Sequence, residues 1–244
     1  MILHALDLRD PSLSDGLRGR LCWLFYNEIY KAAFPVPDEA EDPTVWLPLL
    51  VDGPHKNPIT HLVLAVHDLR PPQAIDAGSL VGGIVFEYFR ASRAALATYL
   101  CIKPEIRRHG VAKFLLERCL EHIRSDSGGA RVPLFAEAED PDLQSGSALR
   151  NEARRRLPIL NRLGFRELPI RYRQPALGPG KHPLDGLKFL MFTAGRPATV
   201  PLSTLRSFMR EFYDVLDAGE PDEAAMFGAS GGPDLCALPL PADT

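Results

Sequence analysis

Long hydrophobic runs are missing from this 244-residue chain. No stretch approaches the roughly 20 apolar residues that a membrane-spanning helix needs, so no membrane partner is expected. Neither sign of charge dominates. Against 28 Lys and Arg stand 31 Asp and Glu, a net charge of −3, which provides no electrostatic footprint for nucleic acid. Cysteine is scarce as well. Cys22, Cys101, Cys119 and Cys236 stand far apart, with no CxxC pair and no His at ligand spacing. That pattern argues against a disulfide framework and a structural zinc site, and no metal ligands are read from the sequence. The opening segment MILHALDLRD meets charged residues at once and lacks the apolar run of a signal peptide. The reading is a cytoplasmic protein with reduced thiols.

Proline and glycine are plentiful, at 23 and 19 residues, and they divide the chain into short elements. Met1–Leu8 alternates loosely enough for an edge strand. Leu17, Leu21, Leu24, Phe25, Ile29 and Ala32 recur at helical spacing, and Pro35-Val36-Pro37 ends that helix. A short helix is expected around Thr44–Leu50. Three strand-like runs follow, Thr60–His67, Leu80–Phe89 and Ala95–Ile102, and read as an antiparallel meander. From Gly110 the period changes. Ala112, Leu116, Cys119, Leu120 and Ile123 fall on one face, with Lys113, Glu117, Glu121 and Arg124 opposite, so an amphipathic helix packed on a sheet is expected. Then come a strand at Val132–Ala138, an Arg-rich helix near Ala148–Leu163 that Pro158 is expected to interrupt, and strands at Phe165–Tyr172 and Leu187–Phe192. This order describes an α+β sheet with one parallel crossover. Residues 196–216 are expected to hold a C-terminal helix, and 217–244 a flexible Gly/Pro/Asp-rich tail.

The stretch Tyr99–Ala112, YLCIKPEIRRHGVA, carries the most chemistry. A strand ends at Ile102, Pro104 breaks it, and Arg107-Arg108-His109-Gly110-Val111-Ala112 opens the amphipathic helix. Unpaired N–H groups converge at such a turn, and the helix dipole adds partial positive charge. A pyrophosphate is the natural ligand. Gly110 lets the backbone come close, and Lys103, Arg107 and Arg108 add charge. The same residues also read as a solvated basic turn.

Arg107-x-x-Gly110-x-Ala112 resembles the acyl-CoA-binding R/Q-x-x-G-x-G/A motif of the GNAT superfamily of N-acetyltransferases. It follows a Gly-containing strand, Val81-Gly82-Gly83-Ile84, as in that family. Asn151-Glu152-Ala153 followed by Leu163-Gly164-Phe165 resembles the family's N-x-A…LGF segment. The resemblance covers residues 15–195 and implies a GNAT domain over 1–195. The implied fold is α+β, a mixed, mostly antiparallel central sheet flanked by helices on both faces. The implied activity is transfer of an acetyl group from acetyl-CoA to an amine of a small molecule by direct attack, without a metal. Leu100, Cys101 and Ile102 would receive the pantetheine arm, and Arg107, Arg108, His109, Gly110, Val111 and Ala112 the pyrophosphate. Asn151 joins the coenzyme-binding set.

Direct attack needs a base and, in some cases, an acid for the departing thiolate. Glu87 and Glu137, on strands, are the candidate bases. Glu87 is flanked by aromatic residues and reads equally as a solvent-facing strand residue, while Glu139 reads as a strand-end turn. Cys101 has no His partner in the sequence pattern and reads as a packed or pantetheine-facing thiol. Many family members carry a Tyr four residues before the Gly of LGF, where this chain has Leu160. Tyr99, Tyr172 and Tyr88 stand unranked as substitutes for the acid, and solvent can also do that work. Tyr26, Tyr30, Phe34, Trp46, Tyr172 and His182 are expected on the acceptor side, although aromatic residues at helical spacing also read as core. Transfer of a longer acyl chain and a non-catalytic CoA-binding or docking module are the competing readings. A homodimer is left open.

Overall fold

The computed structural model describes residues 2–51, 56–228 and 232–242. The chain forms two compact units, Met1–Tyr88 with Ala97–Arg131, and Phe89–Leu96 with Val132–Thr244.

The first unit opens with β1 (Leu3–Asp7) and α1 (Asp15–Phe25). Ser14 caps α1, its Oγ accepting the Leu17 N–H at 3.4 Å, so the helix begins at Asp15, two residues before Leu17. A π-helical turn over Tyr26–Tyr30 joins α1 to the short α2 (Lys31–Ala33), and the helical path stops before Pro35. Next are α3 (Pro43–Val51), β2 (Ile59–His67), β3 (Leu80–Phe89), β4 (Ala94–Ile102) and α4 (Val111–Asp126). β2 pairs antiparallel with both β1 and β3. β4 neighbours β3 across a four-residue connection, which only a hairpin can make.

Alternation along β2 sends successive side chains to opposite faces. Leu62, Leu64 and Val66 share a core with Leu21 and Phe25 of α1 and Trp46 and Leu50 of α3. His61 points the other way, and its ring meets His122 of α4. Helices therefore cover both faces of this sheet, as expected. The buried stripe of α4 is Val111, Leu115, Leu116, Cys119 and Ile123. Val111 and Leu115 replace the expected Ala112 and Leu120, which are only half-buried because the helix is rotated slightly about its axis.

Two adjacent glycines make this packing fit. A Cβ on Gly82 would lie 2.8 Å from the Cys101 carbonyl oxygen and 3.3 Å from Val111 Cγ1. A Cβ on Gly83, facing the other side, would lie 2.6 Å from Phe25 Cε2. Phe25 has no room to yield, since it is buried against Tyr30 and Trp46. Gly83→Ala is therefore expected to destabilise the protein by ~1–3 kcal/mol, the usual cost of overpacking. Urea unfolding checks this, and an unchanged midpoint would contradict it.

The second unit contains β5 (Leu134–Glu139), α5 (Ser147–Leu163), β6 (Phe165–Leu168), the two-residue strands β7 (Arg173–Gln174) and β8 (Leu184–Asp185), β9 (Leu187–Phe192), β10 (Thr199–Pro201), α6 (Leu202–Val215), α7 (Glu223–Phe227) and β11 (Asp234–Cys236). β9 pairs antiparallel with β5 on one side and β6 on the other. Pro158 does not interrupt α5, which runs through it. The ring forfeits a single backbone bond, while the buried Ala153 and Leu157 hold the turn before it in place. Gly164 ends α5 in a left-handed conformation (φ 98°), with a Cβ position 3.0 Å from backbone atoms of Ala194 and Gly195.

The apolar face of α6 forms the centre of this unit. Phe208 stacks on Phe212 at 5.7 Å and meets Phe135 of β5 at 4.9 Å and Phe89 at 5.1 Å between ring centroids. The described residues after 216 are packed, unlike the loose tail expected from composition. Met226, Phe227 and Leu235 belong to the same buried cluster. β11 pairs with β10, and Glu167 and Leu238 exchange backbone bonds of 2.8 and 2.7 Å. A few apolar residues spaced through Gly/Pro-rich sequence suffice to pin the segment.

Candidate functional site

The structure brings the end of β4 and the start of α4 together through Gly82. The Cβ-less Gly82 lets Val111 Cγ1 and the Cys101 carbonyl oxygen approach the same point, 3.3 and 2.8 Å from its Cβ position, so the first turn of α4 sits beside the end of β4. The turn before it is tightly shaped. Pro104–Ile106 form one 3₁₀ turn, and Arg108 and Gly110 both take left-handed backbone, with φ of 71° and 80°. His109 braces the loop, its Nδ1–H donating to the carbonyls of Ile106 at 3.2 Å and Arg107 at 3.0 Å. The Lys103 ammonium donates to the Ala77 carbonyl, so this lysine fastens the loop base. Arg107, Arg108, His109 and Gly110 are exposed.

Gly110 is the N-cap of α4. Among the described residues no side chain caps the helix, and no acidic residue lies in its first turn. Nothing stands within 4 Å of a Cβ position at Gly110. The result is a set of N–H donors without a side-chain cap at the positive end of a 16-residue helix, with two exposed arginines beside it. That arrangement fits an anion, and a pyrophosphate in particular.

Leu100 and Ile102 are half-buried, and Cys101 is buried in the core formed with α1 and α3. Tyr99 is only 4% exposed. Its ring meets Tyr30 at 4.9 Å, Phe34 at 4.9 Å and Trp46 at 5.8 Å, and its hydroxyl interacts with that of Tyr30. The π-helical turn places Tyr26 and Tyr30 one above the other, stacked at 5.6 Å. Tyr30 Oη accepts the Glu41 N–H at 2.7 Å, and Trp46 Nε1 donates to Glu41 at 3.0 Å. Burial pushes the Tyr30 hydroxyl above its ordinary pKa. The four expected acceptor-side aromatics of the first unit thus form one cluster with Tyr99.

Glu87 lies on β3, half-buried, and accepts a hydrogen bond from the Thr98 hydroxyl of β4. Thr60 of β2 is directly opposite in the ladder. Its Oγ1 is buried without a hydrogen-bond partner among the described residues. The sequence signalled neither threonine, since both sit inside ordinary strand runs. Glu137, Asn151, Tyr172 and His182 belong to the second unit. Glu137 accepts from the Tyr172 hydroxyl and from Gln174 Nε2 at 2.9 Å. Burial, with the Glu137 charge beside it, pushes the Tyr172 hydroxyl well above the usual phenol range, so it stays a donor. Asn151 is exposed on α5, and Glu139 is paired with Arg156. Burial raises Cys22 to about 12 and Cys119 well above its ordinary value, which leaves both thiols inert.

The sequence profile of the acetyltransferase (GNAT) family matches residues 23–146, which include β3, β4, the loop and α4. The chain belongs to the GNAT family. Its fold agrees. A GNAT-family acetyltransferase from Bacteroides thetaiotaomicron superposes with a TM-score of 0.54 at 17% identity, covering 91% of this chain and 100% of its own. A GNAT structure from Desulfovibrio desulfuricans gives 0.47 at 18% identity, over 79% of this chain and 99% of its own. An aminoglycoside 6′-N-acetyltransferase complexed with coenzyme A gives 0.44 at 14%, over 78% and 95%. No curated protein matches the sequence. Among the described residues no helix is long and apolar enough to cross a membrane.

Proposed function

We propose that this GNAT protein transfers the acetyl group of acetyl-CoA to an amine of a small molecule by direct attack. The observation that carries the reading is the uncapped, acid-free start of α4 with Gly110 open beside it. The N–H groups of Val111 and Ala112 and the side chains of Arg107 and Arg108 hold the pyrophosphate, with His109 keeping the loop in shape. The backbone of Leu100–Ile102 takes the pantetheine arm as an added strand. Bound acetyl-CoA supplies the activated thioester.

Glu87 takes the proton of the acceptor amine, directly or through one water. Thr98 donates to its carboxylate and fixes the orientation. A polar atom held between Glu87 and Thr60 also satisfies the otherwise unpartnered Thr60 Oγ1. Tyr99 is the group assigned to protonate the departing thiolate.

Glu87→Gln is expected to leave coenzyme affinity unchanged and to lower turnover by at least about tenfold, within the range of general-base effects. The loss should shrink as pH rises, because more of the acceptor is already neutral. Glu137→Gln is the comparison, since its carboxylate is committed to Tyr172 and Gln174. Steady-state rates across pH with an amine panel decide between them. A pH-dependent loss in Glu137→Gln and none in Glu87→Gln would move the base to Glu137.

A further inference from the structure

A second polar cluster lies in the first unit, on the sheet face covered by α4, and acyl transfer makes no use of it. His61 of β2 is 5% exposed. Its Nε2 is 2.9 Å from Asp126 Oδ2 at the end of α4, and its Nδ1 is 2.7 Å from Asp7 Oδ2 of β1. His122, one turn earlier on α4, has its Nδ1 3.5 Å from the same Asp7 oxygen. Phe86 lies flat against the His61 ring, 4.8 Å away and 4° from parallel. One donor atom from each of Asp7, His61 and His122 lies within 4.8 Å of the others.

We propose that Asp7, His61 and His122 form a binding site for a divalent transition-metal ion of the zinc class, with Asp126 as its outer carboxylate. The donor set is two imidazoles and a carboxylate, which suits zinc and its neighbours rather than magnesium or calcium. Asp126 accepts the Nε2–H of His61 and so turns the Nδ1 lone pair toward the other two donors. Carboxylate–histidine–metal triads are built this way. Donors around a tetrahedral zinc lie ~3.3 Å apart, from bond lengths near 2.0–2.1 Å. The His122–Asp7 pair already has that spacing at 3.5 Å, and the His61–Asp7 pair needs only a small turn of the carboxylate from 2.7 Å.

Charge points the same way. Side chains of Asp7 and Asp126 are 14% and 20% exposed, and their only ion-pair partners among the described residues are the two histidines. Two sheltered carboxylates without a Lys or Arg are costly, and one divalent ion balances them. The His122 side chain is 33% exposed, which gives the ion an entry side and leaves a fourth position for water. The ion would fasten the edge strand β1 to β2 and α4. Its α4 ligand His122 lies ~16 Å along the helix from Val111 at 1.5 Å per residue, and so apart from the coenzyme-binding turn. The positions 7, 61 and 122 are too far apart in sequence to make a ligand motif, so no metal was expected from the sequence.

The test uses the full chain, stripped with a chelator and dialysed, then titrated with ZnCl₂ by calorimetry and with CoCl₂ by visible absorption. Expected are one ion per chain, the cobalt bands of a four-coordinate nitrogen–oxygen site, and a melting temperature raised by at least ~5 °C at a 100-fold excess of zinc over its dissociation constant. His122→Ala should abolish binding, and Asp126→Asn should weaken it ~10–100-fold. His4→Ala, a histidine outside the cluster, should bind like the parent. If His122→Ala does not fold, Asp126→Asn carries the comparison. Absence of stoichiometric zinc binding by the parent chain overturns the proposal, as does equal affinity in the parent and the cluster variants. The cluster would then be held by a proton on His61 shared between two carboxylates.

Discussion

Gly110→Glu should abolish coenzyme binding at the start of α4 while leaving the protein folded. The substituted carboxylate would stand where the pyrophosphate must approach, and a φ of 80° is strained for any side-chain-bearing residue. Two or three charge-assisted bonds are lost, each worth ~1.5–3 kcal/mol, so affinity for CoA should fall by more than ~100-fold. Gly128 provides a matched control just beyond the other end of α4, with φ of 67° and open space around it. Gly128→Glu carries the same backbone strain and adds the same charge without touching the first turn. Calorimetric titration with CoA should separate the two variants. Equal affinities would show that the assigned phosphate site is wrong.

Removing everything after residue 218 should destabilise the second unit heavily. Met226, Phe227, Leu235 and Leu240 are buried, at 4%, 4%, 9% and 3% exposure. Their burial is worth ~1.5–3 kcal/mol each as an upper estimate. The cut also removes the partner strand of β10, the backbone bond from Arg171 N–H to the Met226 carbonyl at 2.9 Å, and the ion pair of Arg210 with Glu223 at 2.6 Å. A domain of ordinary stability has only ~5–15 kcal/mol in total. The melting temperature should therefore drop by at least ~12 °C. A shift of only a few degrees would mean that the segment contributes little to the core.

The contrast between these two regions shows what the sequence made legible. β3 was bounded residue for residue, because a continuous apolar run between turn signals leaves few alternatives. The turn before α4 was legible too, since Pro104, the paired arginines and Gly110 act locally. Gly82 was visible as a residue but not as the reason that Val111 reaches the sheet, which needs two strands and a helix in place. The C-terminal segment was misread because composition averages over it. Met226, Phe227 and Leu235 are isolated in sequence and become a cluster only beside Phe208 and Phe212. The surroundings of both carboxylates were illegible for the same reason. Thr98 meets Glu87 across a hairpin, and Tyr172 meets Glu137 from 35 residues away.

Whether the first turn of α4 holds the coenzyme phosphates is read from the backbone amide resonances of the ¹⁵N-labelled protein during titration with CoA. The amides of Gly110, Val111 and Ala112 should show the largest shifts, saturating together with those of Leu100–Ile102, while Gly128 and Gly129 at the far end of the helix stay still. Saturable shifts elsewhere, with the Gly110–Ala112 amides unmoved, would contradict the account.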